Sequence, residues 1–172
     1  MQKSIWIFGI IAGAFCATLE FLYYKTENFS AMTMYISKMA VLAISIVLGL
    51  ILVRKLLGGT ISIGRTLLSG VLISLIRAAV MIGAFTYFFQ PNGDFYAPKL
   101  QEAFVQAEKK IEADENIKKE DKPNELELAK QQIAGQFTPR GYATLAIGGS
   151  VITGFIISIL TAVFISKNMM YE

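Results

Sequence analysis

Three ionisable side chains, Glu20, Lys38 and Arg77, lie inside long apolar stretches of this 172-residue chain. A charge near the middle of a bilayer costs about 2.5–3.5 kcal/mol on insertion scales, so it normally turns inward and finds a partner. One carboxylate and two cations allow two arrangements. In the first, Glu20 pairs with Arg77 and sets the helix register, while Lys38 extends to the nearby interface. In the second, Arg77 and Lys38 receive an anion, a lipid headgroup or a substrate carboxylate or phosphate, and Glu20 orients them. A proton relay does not suit a chain with one carboxylate in its apolar runs and no histidine. Voltage sensing needs a series of arginines on one helix, and here there is only Arg77.

The elements that must position these groups are four apolar runs, residues 4–24, 32–53, 66–89 and 141–165. Each is long enough to cross a bilayer as a helix, which takes about 20 residues. The expected fold is therefore all-α, a polytopic membrane protein with four transmembrane helices and an extramembrane helical hairpin between the third and fourth. Its expected organisation is three spans within residues 1–89, a helical insert over 90–140, and a last span with a short tail over 141–172. Counted at about 1.5 Å per residue, Glu20, Lys38 and Arg77 all come to roughly 15–23 Å from the inner face, a single layer in the outer half. Small residues recur at four-residue spacing as Gly9, Gly13 and Ala17, as Gly70, Ser74 and Ala78, and as Ala146, Ser150, Gly154 and Ser158. Such stripes let helix backbones approach closely, the usual basis of packing in lipid, and they predict a compact bundle.

Composition narrows the chemistry. The chain is 54% hydrophobic, and ten of its 13 acidic residues fall between Asp94 and Glu127. The net charge of +3 is not gathered into a basic stripe interleaved with aromatics, so nucleic-acid binding is not expected. A single cysteine, Cys16, allows no intrachain disulfide, and the lack of histidine removes Cys/His zinc sites and histidine acid–base catalysis. No metal or cofactor site is expected. Ser62, Ser69, Ser74 and Ser150 have no histidine to activate them, and Gly58, Gly59 and Gly64 sit between two membrane helices, where a tight turn accounts for them. Lys3 with the apolar residues after it resembles a secretory signal. Phe15 before Cys16 does not suit a lipoprotein signal, however, and a retained first helix is expected.

Basic residues set the expected orientation. Arg54, Lys55 and Arg65 lie in the link between the second and third runs, with Lys3 and Lys167 at the ends of the chain. The positive-inside rule puts these in the cytoplasm and residues 90–140 outside. Tyr24, Tyr35, Tyr87, Phe88, Phe89 and Tyr142 would form an outer aromatic belt, with Trp6 at the inner face. In the insert, Pro91, Asn92 and Gly93 end the third helix. Leu100, Phe104, Ala107 and Ile111 then recur at helical spacing. A second helix begins near Pro123, carries Leu126, Ala129, Ile133 and Phe137, and is broken by Pro139. The two stripes can cover each other, lie on a membrane surface, or dock a protein partner through Leu100, Phe104, Leu126 and Ile133.

The segment Gly58-Gly59-Thr60-Ile61-Ser62-Ile63-Gly64-Arg65, continuing to Gly70-Val71-Leu72-Ile73-Ser74, resembles the characteristic segment of a bacterial family of four-helix membrane proteins of unknown function, numbered 4199. The likeness extends over essentially the whole chain, through the first helix with Gly13, the charged insert and the glycine-rich last helix. It implies a four-helix topology in a bacterial inner membrane and carries over no catalytic residue. The expected function is a non-enzymatic accessory or scaffold subunit of a membrane assembly. The alternative is a small lipid- or solute-handling protein with an intramembrane anion site. Membrane lipid, a membrane protein partner and a second copy of the chain are the expected partners.

Overall fold

A computed structural model describes residues 2–25, 31–88 and 96–167. It contains α1 (Gln2–Lys25), α2 (Ala31–Leu56), α3 (Ile63–Phe88), α4 (Tyr96–Ala113), α5 (Lys122–Gln136) and α6 (Pro139–Lys167). No strand occurs among the described residues. Four helices, α1, α2, α3 and α6, are long and apolar enough to cross a membrane, over Lys3–Tyr23, Met32–Leu56, Ile63–Tyr87 and Pro139–Phe164. About a third of each span is buried within the chain. The remainder carries large exposed apolar groups such as Phe15, Ile44, Leu68, Ile152 and Phe164. Only lipid or another apolar surface can cover these without a large hydrophobic penalty, so the chain is a multi-pass membrane protein.

The chain divides into two compact units, residues 1–84 with 146–172, and residues 85–145. In the first, each helix buries one stripe. On α1 it is Ile5, Gly9, Ala12, Gly13, Cys16 and Glu20, and on α6 it is Ser150, Gly154, Ser158 and Ala162. These three- and four-residue steps follow from 3.6 residues per turn. The glycines of the stripes sit where backbones come closest. A Cβ on Gly9 would lie 2.6 Å from Ile76 Cβ, and one on Gly13 would lie 2.5 Å from Val80 Cβ, so α1 and α3 meet there. Between α3 and α6 the match is reciprocal, with Gly70 opposite Ser158 and Gly154 opposite Ser74. Both serine hydroxyls donate back to the carbonyl one turn earlier, Ser74 to Gly70 at 3.0 Å and Ser158 to Gly154 at 2.5 Å, so the seam is tight and still leaves them satisfied.

The apolar core of this unit gathers near the α2–α3 turn, from Ile5, Leu42, Ile46, Leu50, Val53, Ile61 and Ile73, with Phe8 and Leu57 against it. The turn depends on Gly58 and Gly59, whose φ angles of +80° and +96° lie in the left-handed region that side chains disfavour. Arg54 ties it down, its Nε donating to the Gly59 carbonyl at 2.6 Å while its own carbonyl accepts from Gly59 N–H at 3.0 Å. The tight turn expected of these glycines forms at Gly58 and Gly59, while Gly64, expected there too, is the second residue of α3.

In the second unit, α4 and α5 pack against one another. The side chains of Leu100, Phe104, Leu126 and Ile133 are half-buried, while Val105 and Leu128 are exposed. The linker is held by Lys122 Nζ donating to the Glu112 carbonyl at 2.7 Å and by Asp114 Oδ1 accepting from the Asn116 N–H at 2.9 Å. Pro139 does not merely break α5. It is the first residue of α6, where its missing N–H costs nothing. Thr138 serves both helices: its hydroxyl donates to the Gly135 carbonyl at 2.6 Å and accepts from Gly141 N–H at 3.0 Å, the geometry of an N-cap. Gly141 has no room for a side chain, because a Cβ there would strike the Gly135 carbonyl.

Of the expected aromatic belt, Tyr35 and Tyr87 are exposed, as is Trp6. Tyr142 is half-buried and stacks on Phe85, the rings 3.9 Å apart and 7° from parallel. The side chains of Tyr24 and Phe88, and residues Phe89, Pro91, Asn92 and Gly93, lie outside what the structure describes.

Candidate functional site: an intramembrane charged layer

The layer is built from one polar position on each spanning helix and a second on α1. Cys16 and Glu20 are one turn apart on the buried face of α1, Lys38 is on α2, Arg77 is on α3 and Ser150 is on α6. Glu20, Lys38 and Arg77 share a depth, as counting along the helices indicates, and they belong to one connected network. Their pairing differs from the expected one. Lys38 Nζ sits 3.5 Å from Glu20 Oε2, with the Lys38 side chain 23% and the Glu20 side chain 11% exposed. Lysine does not simply extend to the interface, and the Glu20–Arg77 pair is replaced by Glu20–Lys38.

Arg77 turns to neutral partners. Its Nε donates to Cys16 Sγ at 3.3 Å, and its Nη1 donates to Ser150 Oγ at 3.2 Å. The Cys16 thiol in turn points at the Lys38 backbone carbonyl at 3.8 Å, linking α3 through α1 to α2. A guanidinium offers five N–H donors in a planar fork, and this network engages two of its nitrogens. Arg77 is half-buried and, among the described residues, no carboxylate lies within ion-pair distance of it. The layer therefore holds one matched pair and one cation balanced only by dipoles.

Why these partners follows from the packing. Gly13 brings α1 onto Val80 of α3, so the next inward position along α1, Cys16, meets the Arg77 side chain. The glycine and serine seam between α3 and α6 places Ser150, one turn before Gly154, on the other side of that guanidinium. Cys16 and Ser150 are the two members of the site that charge alone does not identify. The signals for them were present: Cys16 precedes Glu20 by four residues, and Ser150 belongs to the small-residue stripe.

Cys16 is buried, with an arginine and a carbonyl as its partners rather than a general base. No group of three or more potential metal ligands occurs among the described residues. The four expected docking residues Leu100, Phe104, Leu126 and Ile133 form no part of the layer. They lie on α4 and α5, which pack on each other.

Comparison with known proteins gives a single assignment. No curated protein matches the chain, and no solved structure does. Residues 7–167 match the family described as protein of unknown function, DUF4199, which takes in most of the first spanning helix, the other three, and the segment between the third and fourth. The chain belongs to that family.

Proposed function

We propose that the protein binds an anionic group, the phosphate or carboxylate of an amphiphilic molecule, at Arg77, and works as a non-enzymatic lipid- or solute-handling protein of a bacterial inner membrane. The observation that carries this reading is the charge balance of the layer. Lys38 takes up Glu20, and Arg77 is left with a thiol and a hydroxyl. An intramembrane guanidinium is costly unless an anion meets it, and its planar fork suits a phosphate or carboxylate with two oxygens. Glu20 then acts through Lys38, keeping its own negative charge away from the incoming anion.

The test is the composition of the purified protein. After extraction in mild detergent, mass spectrometry of wild type should find a stoichiometric anionic amphiphile. Arg77→Lys should retain part of it, and Arg77→Met should lower it at least tenfold. Adding back phosphatidylglycerol or a short-chain carboxylate after delipidation separates a lipid headgroup from a soluble solute. Wild type that rebinds neither, or Arg77→Met that binds as wild type does, overturns the reading.

A second reading, an accessory or scaffold subunit of a larger assembly, draws on the half-exposed stripes of α4 and α5 and on the absence of any buried residue on α5. It is favoured over the first if a membrane protein co-purifies in place of an anion and is lost on changing Phe104 and Ile133 together to Asp.

Both readings share an orientation, with the termini cytoplasmic and residues 90–140 periplasmic, supported by Arg54, Lys55 and Arg65 around the α2–α3 turn. In a Cys16→Ser background, cysteine at the exposed position Glu112 should react with an impermeant thiol reagent on intact cells. Cysteine at the exposed Thr60 should react only after permeabilisation. The reverse pattern would invert the topology.

A further inference from the structure

A second feature of the bundle is a groove of about 670 Å³ between α2 and α6, away from the charged layer. Its walls are Ala43, Val47 and Ile51 on one helix and Ile157, Leu160 and Phe164 on the other, with Thr161 and Arg54 completing the lining. The Thr161 hydroxyl donates to the Ile157 carbonyl at 2.7 Å, so it adds little polarity to the wall. Among the described lining residues Arg54 is the one charged group, and it lies in the last turn of α2.

We propose that this groove seats an acyl chain of an anionic phospholipid whose headgroup phosphate is held by Arg54, in the leaflet on the side of the α2–α3 turn. Three observations choose this occupant. The first is length. From Ala43 to Arg54 the helix rises about 16 Å, close to half of a hydrocarbon core about 30 Å thick. A groove that is apolar over one leaflet's depth and ends on a cation matches one lipid tail and its headgroup.

The second is the state of Arg54. It is half-buried, and its Nε is committed to the Gly59 carbonyl at 2.6 Å, which holds the side chain in place and leaves its terminal nitrogens for a phosphate. Lys55 and Arg65, both exposed beside the same turn, add to the positive field there. The third is the character of the walls. Where α3 and α6 meet, they do so through glycine and serine, at Gly70 and Gly154. The groove instead presents branched and aromatic side chains, Val47, Ile51, Leu160 and Phe164, which keep another helix backbone at a distance but fit a flexible hydrocarbon chain.

The experiment is tryptophan quenching by brominated lipid. In a Trp6→Phe background, Phe164→Trp places a reporter in the groove. Leu68→Trp places one on an exposed apolar position of α3 that does not line it. Each protein is reconstituted in phosphatidylcholine vesicles containing increasing brominated phosphatidylglycerol. The groove reporter should show about a fivefold preference for the anionic lipid, what one basic residue near an anionic surface is worth. The Leu68 reporter, one turn from the exposed Arg65, should show a smaller preference that Arg54→Gln leaves unchanged. Arg54→Gln should abolish the groove reporter's preference and Arg54→Lys should keep it. Millimolar inorganic phosphate should not compete, because the tail supplies the fit, and Arg77→Met should leave the preference unchanged, which separates this site from the one in the charged layer. If Arg54→Gln does not fold, the wild-type side chain still decides the matter: raising the salt from 50 to 500 mM should collapse the preference by screening the headgroup contact. Equal quenching at the two reporters, or a preference that survives both Arg54→Gln and high salt, would overturn the proposal.

Discussion

Glu20→Gln should destabilise the purified protein by about 2–4 kcal/mol, and a second change at Lys38 rather than at Arg77 should restore most of the loss. Removing one partner of a buried ion pair typically costs about 3–5 kcal/mol, because the other charge is left uncompensated. The expected figure is lower here since the Lys38 side chain keeps 23% of its exposure and can reach partly toward the interface. Without Glu20 the layer would hold two unmatched cations, Lys38 and Arg77. Glu20→Gln with Lys38→Met removes the stranded charge and its lost partner together. Glu20→Gln with Arg77→Met leaves Lys38 unpaired and also empties the position between Cys16 and Ser150. Thermal unfolding in detergent measures all four proteins. Rescue by Arg77→Met with none by Lys38→Met would mean that Glu20 belongs to Arg77 after all.

Changing Gly70 and Gly154 together to leucine should prevent the bundle from assembling, whereas Gly148→Leu should be tolerated. At Gly70 and Gly154 an added Cβ would run into the hydroxyls of Ser158 and Ser74. Overpacking costs about 1–3 kcal/mol per site, and here the two sites lie on opposite sides of one seam, so relief of one clash is blocked by the other. At Gly148, and likewise at Gly83, a Cβ meets nothing within 4 Å. Loss of the folded species on size exclusion and rapid proteolysis of the membrane-embedded protein are the expected signs for the double variant. A comparable loss from Gly148→Leu would show that helix propensity, and not the α3–α6 approach, sets the requirement for glycine.

Helix–helix contact in lipid explains why those glycines outweigh larger apolar residues. Burying a leucine against another helix gains little when lipid tails are as apolar as the protein. What lipid cannot supply is backbone proximity, with its dense dispersion contacts, and that is available only where the side chain is absent. The small residues at four-residue spacing, legible in the sequence, are therefore where α3 is approached most closely, by α1 at Gly9 and Gly13 and by α6 at Gly70 and Gly154.

Other parts of the chain were less legible for definite reasons. Pro139 reads as a breaker because proline cannot continue a helix. The same residue is favourable at a first helical position, and Thr138, hydrogen-bonded to both helices, selects that role. Tyr142 reads as an interfacial aromatic, and its stacking on Phe85 was not legible because the two residues are far apart in the sequence. The stripe of Leu100, Phe104, Leu126 and Ile133 is equally consistent with mutual burial and with docking, and in the folded chain those side chains are half-buried where α4 and α5 pack together.

The amino-acid sequence by itself determined the number of membrane spans, the turn at Gly58 and Gly59, and the depth at which Glu20, Lys38 and Arg77 lie. These are one-dimensional properties: hydrophobic length, φ preference and rise per residue act along the helix axis and need no neighbour. The partner of each charge is a property of azimuth, the direction in which a side chain leaves its helix relative to the helices beside it. Glu20 and Arg77 occupy the same layer, yet a rotation of one helix by a single residue, about 100°, would exchange their partners. That rotation was decided in the folded chain by the close approaches at Gly13, Gly70 and Gly154, which turn Arg77 onto Cys16 and Ser150 and leave Glu20 to Lys38.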